Sequence, residues 1–323
     1  MLLSMQSGIN DYDDQWLLGW TVVNPTLDFS PFDFLQEVDK AFNFDPGKGV
    51  FYSGVGYVLV GMVLSSITGA KTPLHLNQTA LLHQGTGSAG APPGIVDEIV
   101  FMHDGWCSLH PHVTHQYVRN WTTSGFTDLY NMSCYNGWTM GNIAATAPMI
   151  SEFYAALAND RVVARSSLRQ MLKFRKMGGT LPGAMEGTPY GMGLFKLMVR
   201  FKLDVTDCGA LPLCSCSSAF GAGCIFAPAT WGHGGLDWGS GFPMAGWIAG
   251  LNASFALGGT NGEGFPRGRN SSLTQEQNNA AYGTVWCAFI EAVTKEALPA
   301  YESVSFSHFE IRPGEFQNCT LRV

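Results

Sequence analysis

The sequence predicts an α+β protein in which helices come first, an antiparallel sheet follows, and one long helix lies on that sheet. Three observations carry this. Apolar residues recur at helical spacing in segments up to residue 163, short apolar runs broken by glycine fill residues 190–260, and a last helical pattern occupies 273–298. The division that follows is a mostly helical lobe at 1–189, a sheet with its closing helix at 190–300, a cysteine-rich insert at 208–224, and a tail at 301–323 without clear assignment.

In chain order, SPFDFLQEVDKAF (30–42) sets Phe34, Leu35, Val38, Ala41 and Phe42 at helical spacing behind Ser30-Pro31, a cap and first-turn signal. FYSGVGYVLVGMVLSSITG (51–69) carries no charge and admits three readings: a membrane span, a buried core helix, or a helix whose first turn presents a catalytic residue. Its four Gly, three Ser and one Thr, with no flanking Lys/Arg cluster, argue against the span and for a buried helix that presents Tyr52 to a cleft. TAPMISEFYAALANDRVV (146–163) has Thr146 as cap and Pro148 in the first turn, with Ile150, Phe153, Tyr154 and Leu157 on one face. YGMGLFKLMVRF, TWGHGG, MAGWIAGL and ASFALGGT have the texture of strands joined by hairpins, and Gly239-Ser240-Gly241 that of a hairpin loop rather than a nucleophile elbow. The segment 273–298 opens on Thr274 and Gln277, a capping-box pair.

Composition narrows the function classes. Charged residues make up 13% against 46% hydrophobic, the net charge is −7, and the 18 Lys and Arg are scattered, so no nucleic acid or anionic lipid surface is expected as partner. Eight cysteines (Cys107, Cys134, Cys208, Cys214, Cys216, Cys224, Cys287 and Cys319) do not follow zinc-knuckle spacing and are either disulfides or free buried thiols. With six N-x-S/T sequons, at Asn77, Asn120, Asn131, Asn252, Asn270 and Asn318, they point to a secreted or lumenal protein. MLLSMQSGINDYDD has neither a basic nor an apolar signal region. Either the protein is not secreted, or its true beginning lies upstream. HPHVTH offers His110, His112 and His115 to a metal, but spacing i, i+2, i+5 with Pro111 between suits a surface loop better. No metal or cofactor is expected, and nothing indicates the oligomeric state.

Five motifs then occur in order: LLSMQSGINDYDD (2–14), DPGKGVFYSGVGYVLVGMVLSSITG (45–69), PMISEFYAAL (148–157), TPYGMGLF (188–195) and WGHGGLDWGSGFPMAGW (231–247). Together they resemble the serine beta-lactamase-like family of class C beta-lactamases, penicillin-binding proteins and esterase relatives, over residues 1 to about 298. The resemblance implies a beta-lactamase/transpeptidase-like fold, with the first strands and nucleophile helix missing from this sequence. It also implies acyl-enzyme hydrolysis of an amide or ester in a small-molecule or peptide acyl substrate. Tyr52 matches the proton-exchanging tyrosine, which needs a nearby cation to work near neutrality. His233, Gly234 and Gly235 match the H-x-G element on the opposite wall, where glycines leave room for substrate. Ser53 and the backbone N–H of Leu236 complete the implied substrate and oxyanion contacts.

Two departures stand out. Gly54 replaces the family's Asn in Tyr-x-Asn, and no Ser-x-x-Lys exists; the nearest formal match, Thr68–Lys71, lies downstream of Tyr52, in the wrong order. The chain as given is therefore expected to be inactive, or to be a non-catalytic secreted glycoprotein using the same fold as a binding or structural module. Two spatial expectations follow: Tyr52 and His233 face each other across a shared hollow, and the insert 208–224 narrows its mouth.

Overall fold

The computed structural model describes residues 1–13, 19–20, 23–24, 26–28, 30–36, 38–39, 41–84, 93–102, 106–110, 112–119, 126–133, 138–141, 143–178, 187–197, 200–204, 214–216, 224–226, 229–236, 240–260, 288, 305–312 and 315–321. The α-helices with defined bounds among the described residues are α1 (Pro31–Gln36), α2 (Val55–Ile67), α3 (Gln78–His83), α4 (Pro93–Glu98), α5 (Ala147–Ala158) and α6 (Arg165–Met171). Two small antiparallel pairs join Val100–Phe101 (β1) to Ile143–Ala144 (β4) and Tyr117–Arg119 (β2) to Phe126–Asp128 (β3).

A six-stranded sheet has the order β13-β12-β11-β7-β6-β5. Its strands are Arg175–Lys176 (β5), Pro189–Tyr190 (β6), Phe195–Leu197 (β7), Thr230–Leu236 (β11), Ser240–Ile248 (β12) and Ala253–Thr260 (β13). A five-stranded sheet, β15-β14-β8-β10-β9, holds Arg200–Asp204 (β8), Cys214–Cys216 (β9), Cys224–Phe226 (β10), Ser305–Arg312 (β14) and Glu315–Leu321 (β15). By contacts the chain forms two discontinuous units, where sequence texture had set one boundary at 189/190. One unit takes Met1–Phe195, Gly232–Ala245 and Phe255–Arg267; the other takes Lys196–Trp231, Gly246–Ser254 and Gly268–Val323.

The core of the first unit forms where α2 meets its neighbours: Phe34, Val58, Leu76 and Trp138 are buried together, ringed by partly buried Tyr12, Met62 and Met140. Helix α2 begins without a capping side chain because Gly54 occupies the N-cap; Asp11 Oδ1 accepts from Val55 N–H at 3.3 Å instead. Its outer face is not buried as expected, since Val63 is 51% and Ile67 76% exposed. Among the described residues no helix is long and apolar enough to cross a membrane.

Four sequence expectations are corrected. The helix expected over 30–42 stops at Gln36, because the next segment spends its backbone bonds elsewhere: Asn43 N–H donates to Gly8 O at 2.8 Å, and Ala41 O accepts from Asn10 Nδ2 at 2.7 Å. Tyr52 precedes α2 rather than occupying its first turn, since residues 51–53 are tied to the N-terminal segment. Helix α5 keeps Thr146 as cap and Pro148 in its first turn but ends at Ala158, where Asp160 turns left-handed at φ +61°. Ser240 and Gly241 open β12 rather than forming a loop, being recruited by pairing to β11. The tail forms the hairpin β14–β15, with β14 also paired to β8. The helix expected at 273–298 lies outside the described residues, apart from residue 288. The paired strands β9 and β10, which carry Cys214, Cys216 and Cys224, belong to the second unit.

Candidate active site

Tyr52 is set by its neighbours. Phe51 N–H donates to Met5 O at 2.9 Å, and Val50 O accepts from Gly178 N–H at 2.9 Å. Ser53, 1% exposed, donates its hydroxyl to Asn10 O at 3.0 Å. These bonds hold residues 50–53 between two other segments and fix the direction from which Tyr52 enters. His233 sits mid-strand in β11.

The two rings lie 6.3 Å apart, tilted by 38°. Phe195 stacks on Tyr52 at 5.8 Å and 16° and lies 4.7 Å from His233. Tyr190 meets Tyr52, Phe195 and His233 edge-on at 5.8, 4.8 and 6.1 Å. Residues far apart in sequence thus share one aromatic cluster, all within the first unit.

Beneath it runs a chain of hydroxyls. Tyr57 donates to Leu3 O at 2.9 Å, so the 3.1 Å contact between Tyr57 and Tyr190 has Tyr190 donating. Burial pushes both phenols up, against backbone hydrogen bonds from Gly193. Gly193 has φ +72°, and a β-carbon there would sit 3.4 Å from the Tyr57 oxygen, so this approach suits glycine. Burial likewise pushes up Tyr154 of α5, opposed by a backbone hydrogen bond with His233.

His233 Nδ1 lies 2.6 Å from Gly234 O, and burial lowers the imidazole to about 4 although the residue as a whole is only half-buried. With its value lowered to about 4, the imidazole is neutral at pH 7. It therefore does not supply Tyr52 with a nearby positive charge. Gly235 is exposed, with nothing within 4 Å of where a β-carbon would stand, and Leu236 ends the strand. At Gly54 a β-carbon would meet Met140 Sδ at 2.6 Å, so methionine occupies the space at Gly54 that a longer residue would need.

Tyr57, Tyr154, Tyr190 and Phe195 were not singled out from sequence. Tyr190 and Phe195 sat visibly in TPYGMGLF, and only the β6-β7-β11 strand order brings that motif to His233. In HPHVTH, His115 Nδ1 bonds Asp128 Oδ2 at 2.7 Å and stacks on Tyr130 at 4.0 Å. Among the described residues no group of three His, Cys, Asp or Glu could hold a metal. A groove of about 360 Å³ lined by Ile95, Glu152, Ala155, Ala156, Asn159 and Arg161 touches none of the four rings. On α5 its residues take the face opposite Tyr154, so the candidate site rests on the ring geometry instead.

Antiparallel sheets flanked by helices, with a His-Gly-Gly strand beside Tyr52, make up a fold that its structural neighbours identify as beta-lactamase/transpeptidase-like. The chain belongs to the beta-lactamase family, whose model matches residues 1–253. It is similar in structure to a D-stereospecific amidohydrolase from Streptomyces sp., with 20% identity, TM-score 0.52, and 81% of this chain against 67% of that one covered. A D-amino acid amidase from Ochrobactrum anthropi SV3, complexed with L-phenylalanine amide, gives 18% identity, TM-score 0.55, and coverage of 90% and 71%. A penicillin-binding protein from Bacillus halodurans gives 16% identity, TM-score 0.52, and coverage of 88% and 72%. No curated protein matches the chain in sequence.

Proposed function

We propose that the chain carries the substrate-facing part of a serine acyl-hydrolase site acting on an amide or ester of a small molecule or peptide. The single observation behind this is the meeting of Tyr52 and His233 at 6.3 Å. In this reading Tyr52 exchanges a proton with the leaving group, and Gly234 and Gly235 leave space for substrate along β11. The Leu236 N–H helps hold the oxyanion. Ser53, whose hydroxyl is committed to Asn10, positions Tyr52 through the backbone. Similarity to structures described as amidases and a penicillin-binding protein supports an amide as substrate. These 323 residues contain no Ser-x-x-Lys, so on their own they bind substrate without turning it over.

That absence also favours a second reading, a non-catalytic secreted glycoprotein. A secretory compartment is supported by the disulfide bond of Cys107 and by exposed sequon residues Asn77 and Asn131. Two measurements separate the readings. In the first, protein isolated from its native source is treated with a fluorophosphonate or fluorescent penicillin. The hydrolase reading expects a covalent label; the module reading expects none. In the second, phenylalanine amide is titrated onto the 323-residue chain with tyrosine fluorescence as readout. Y52A and H233A each weaken binding about tenfold or more if the cluster is the site. Unchanged affinity in both folded variants removes the cluster from function.

A further inference from the structure

The hydrogen bond at His233 fixes more than its orientation. Gly234 O has only lone pairs, so the 2.6 Å contact requires Nδ1 to carry the proton. A neutral imidazole has one N–H, which leaves Nε2 as a lone pair, and Nε2 meets no partner among the described residues. The rings around it are Tyr52, Tyr190 and Phe195; Phe195 has no ionisable group, and burial holds Tyr190 as the neutral phenol.

We propose that Nε2 of His233 offers bound substrate a hydrogen-bond acceptor, so that the site selects a group bearing N–H or O–H there, such as a primary amide, and refuses a carboxylate. This deepens the hydrolase reading and rests on it. A carboxylate placed here would set its lone pairs against that of Nε2 and lose its hydration to aromatic rings. An amide N–H satisfies the same nitrogen and brings no charge. The imidazole, held near 4 by burial, keeps this acceptor character through the physiological range.

The test compares N-acetyl-phenylalanine amide with N-acetyl-phenylalanine, ligands that differ only in the terminal group. Both are titrated at pH 7 onto the ¹⁵N-histidine-labelled chain. The amide is expected to bind at least tenfold more tightly and to shift the Nε2 resonance of His233, while H233K reverses the order. If the carboxylate binds as well as the amide to the unmodified chain, the acceptor assignment is wrong and the hydrolase reading survives. If neither ligand moves His233 in a folded protein, both fall together.

Discussion

Half-buried His233 is held as the neutral base by desolvation, and that makes stability depend on pH. Its folded-state value of about 4 lies below the ordinary 6.5. Between those values the unfolded chain takes up a proton that the folded chain refuses. The contribution is therefore complete above pH 6.5, declines as pH falls, and is gone near pH 4. A shift of this size corresponds to at most about 3 kcal/mol. Urea unfolding at pH 7.5 and 4.5 should show H233Q losing less stability on acidification than the parent; equal losses would place the ring in water. Tyr154 offers a second check. Its phenol bonds the His233 backbone, so Y154F should cost about 1 kcal/mol in urea unfolding and weaken amide binding as β11 loosens. Tyr52 and His233 were legible in sequence because a motif carries each within a few letters. Tyr154 was visible only as one aromatic on an apolar helix face, and its partner lies on a strand no local pattern connects to it.

Helix α2 shows why an element can be legible while its limits are not. Its uncharged run announced a helix, but Asp11, Gly8 and Asn10, all remote in sequence, decide where it begins and where α1 ends. Gly61 sits mid-helix, where alanine is intrinsically better by about 1 kcal/mol. A β-carbon there would lie 2.3 Å from Thr139 Oγ1 and 2.7 Å from Trp138 Cζ3, and Trp138 is 1% exposed. Overpacking against a buried indole costs roughly 1–3 kcal/mol and outweighs the propensity. G61A should thus lower the thermal midpoint, and an unchanged or raised midpoint would show that the turn 138–140 yields. The sheet elements carry a different forecast. Cys216 and Cys224 are direct cross-strand partners between β9 and β10. Such pairs sit at Cα separations of about 4.5–5.5 Å, inside the range a disulfide spans. Peptide mapping without reductant should return these two cysteines joined; alkylation of both as free thiols would contradict it.

At the scale of the molecule, the order of helices and strands was legible because periodicity is local. The tail, which has no distinctive periodicity, becomes strands through its own hairpin and through the pairing of β14 with β8, some hundred residues earlier in the chain. The surface poses its own question. With charged residues at 13% and Val23, Ile67 and Leu109 each more than 60% exposed, the surface leaves room for a covering other than charge. The sequons supply a candidate. Asn77 and Asn131 are exposed, Asn77 uses Oδ1 to accept from Ala80 N–H at 2.8 Å and so leaves Nδ2 for a sugar, and Asn252 stands exposed at φ +52° in the turn before β13. Glycans at these points would cover surface that charge does not. Protein made in a secretory host and treated with a glycan-releasing amidase should show all three asparagines converted to aspartate in its peptide map. The N77Q/N131Q/N252Q variant should lose soluble yield several-fold, while its urea midpoint falls only by what loss of the Asn77 cap costs, about 1 kcal/mol. Unmodified asparagine at all three positions, in protein that has passed through such a host, would leave the thin surface charge unexplained and remove the support that the sequons lend to a secreted location.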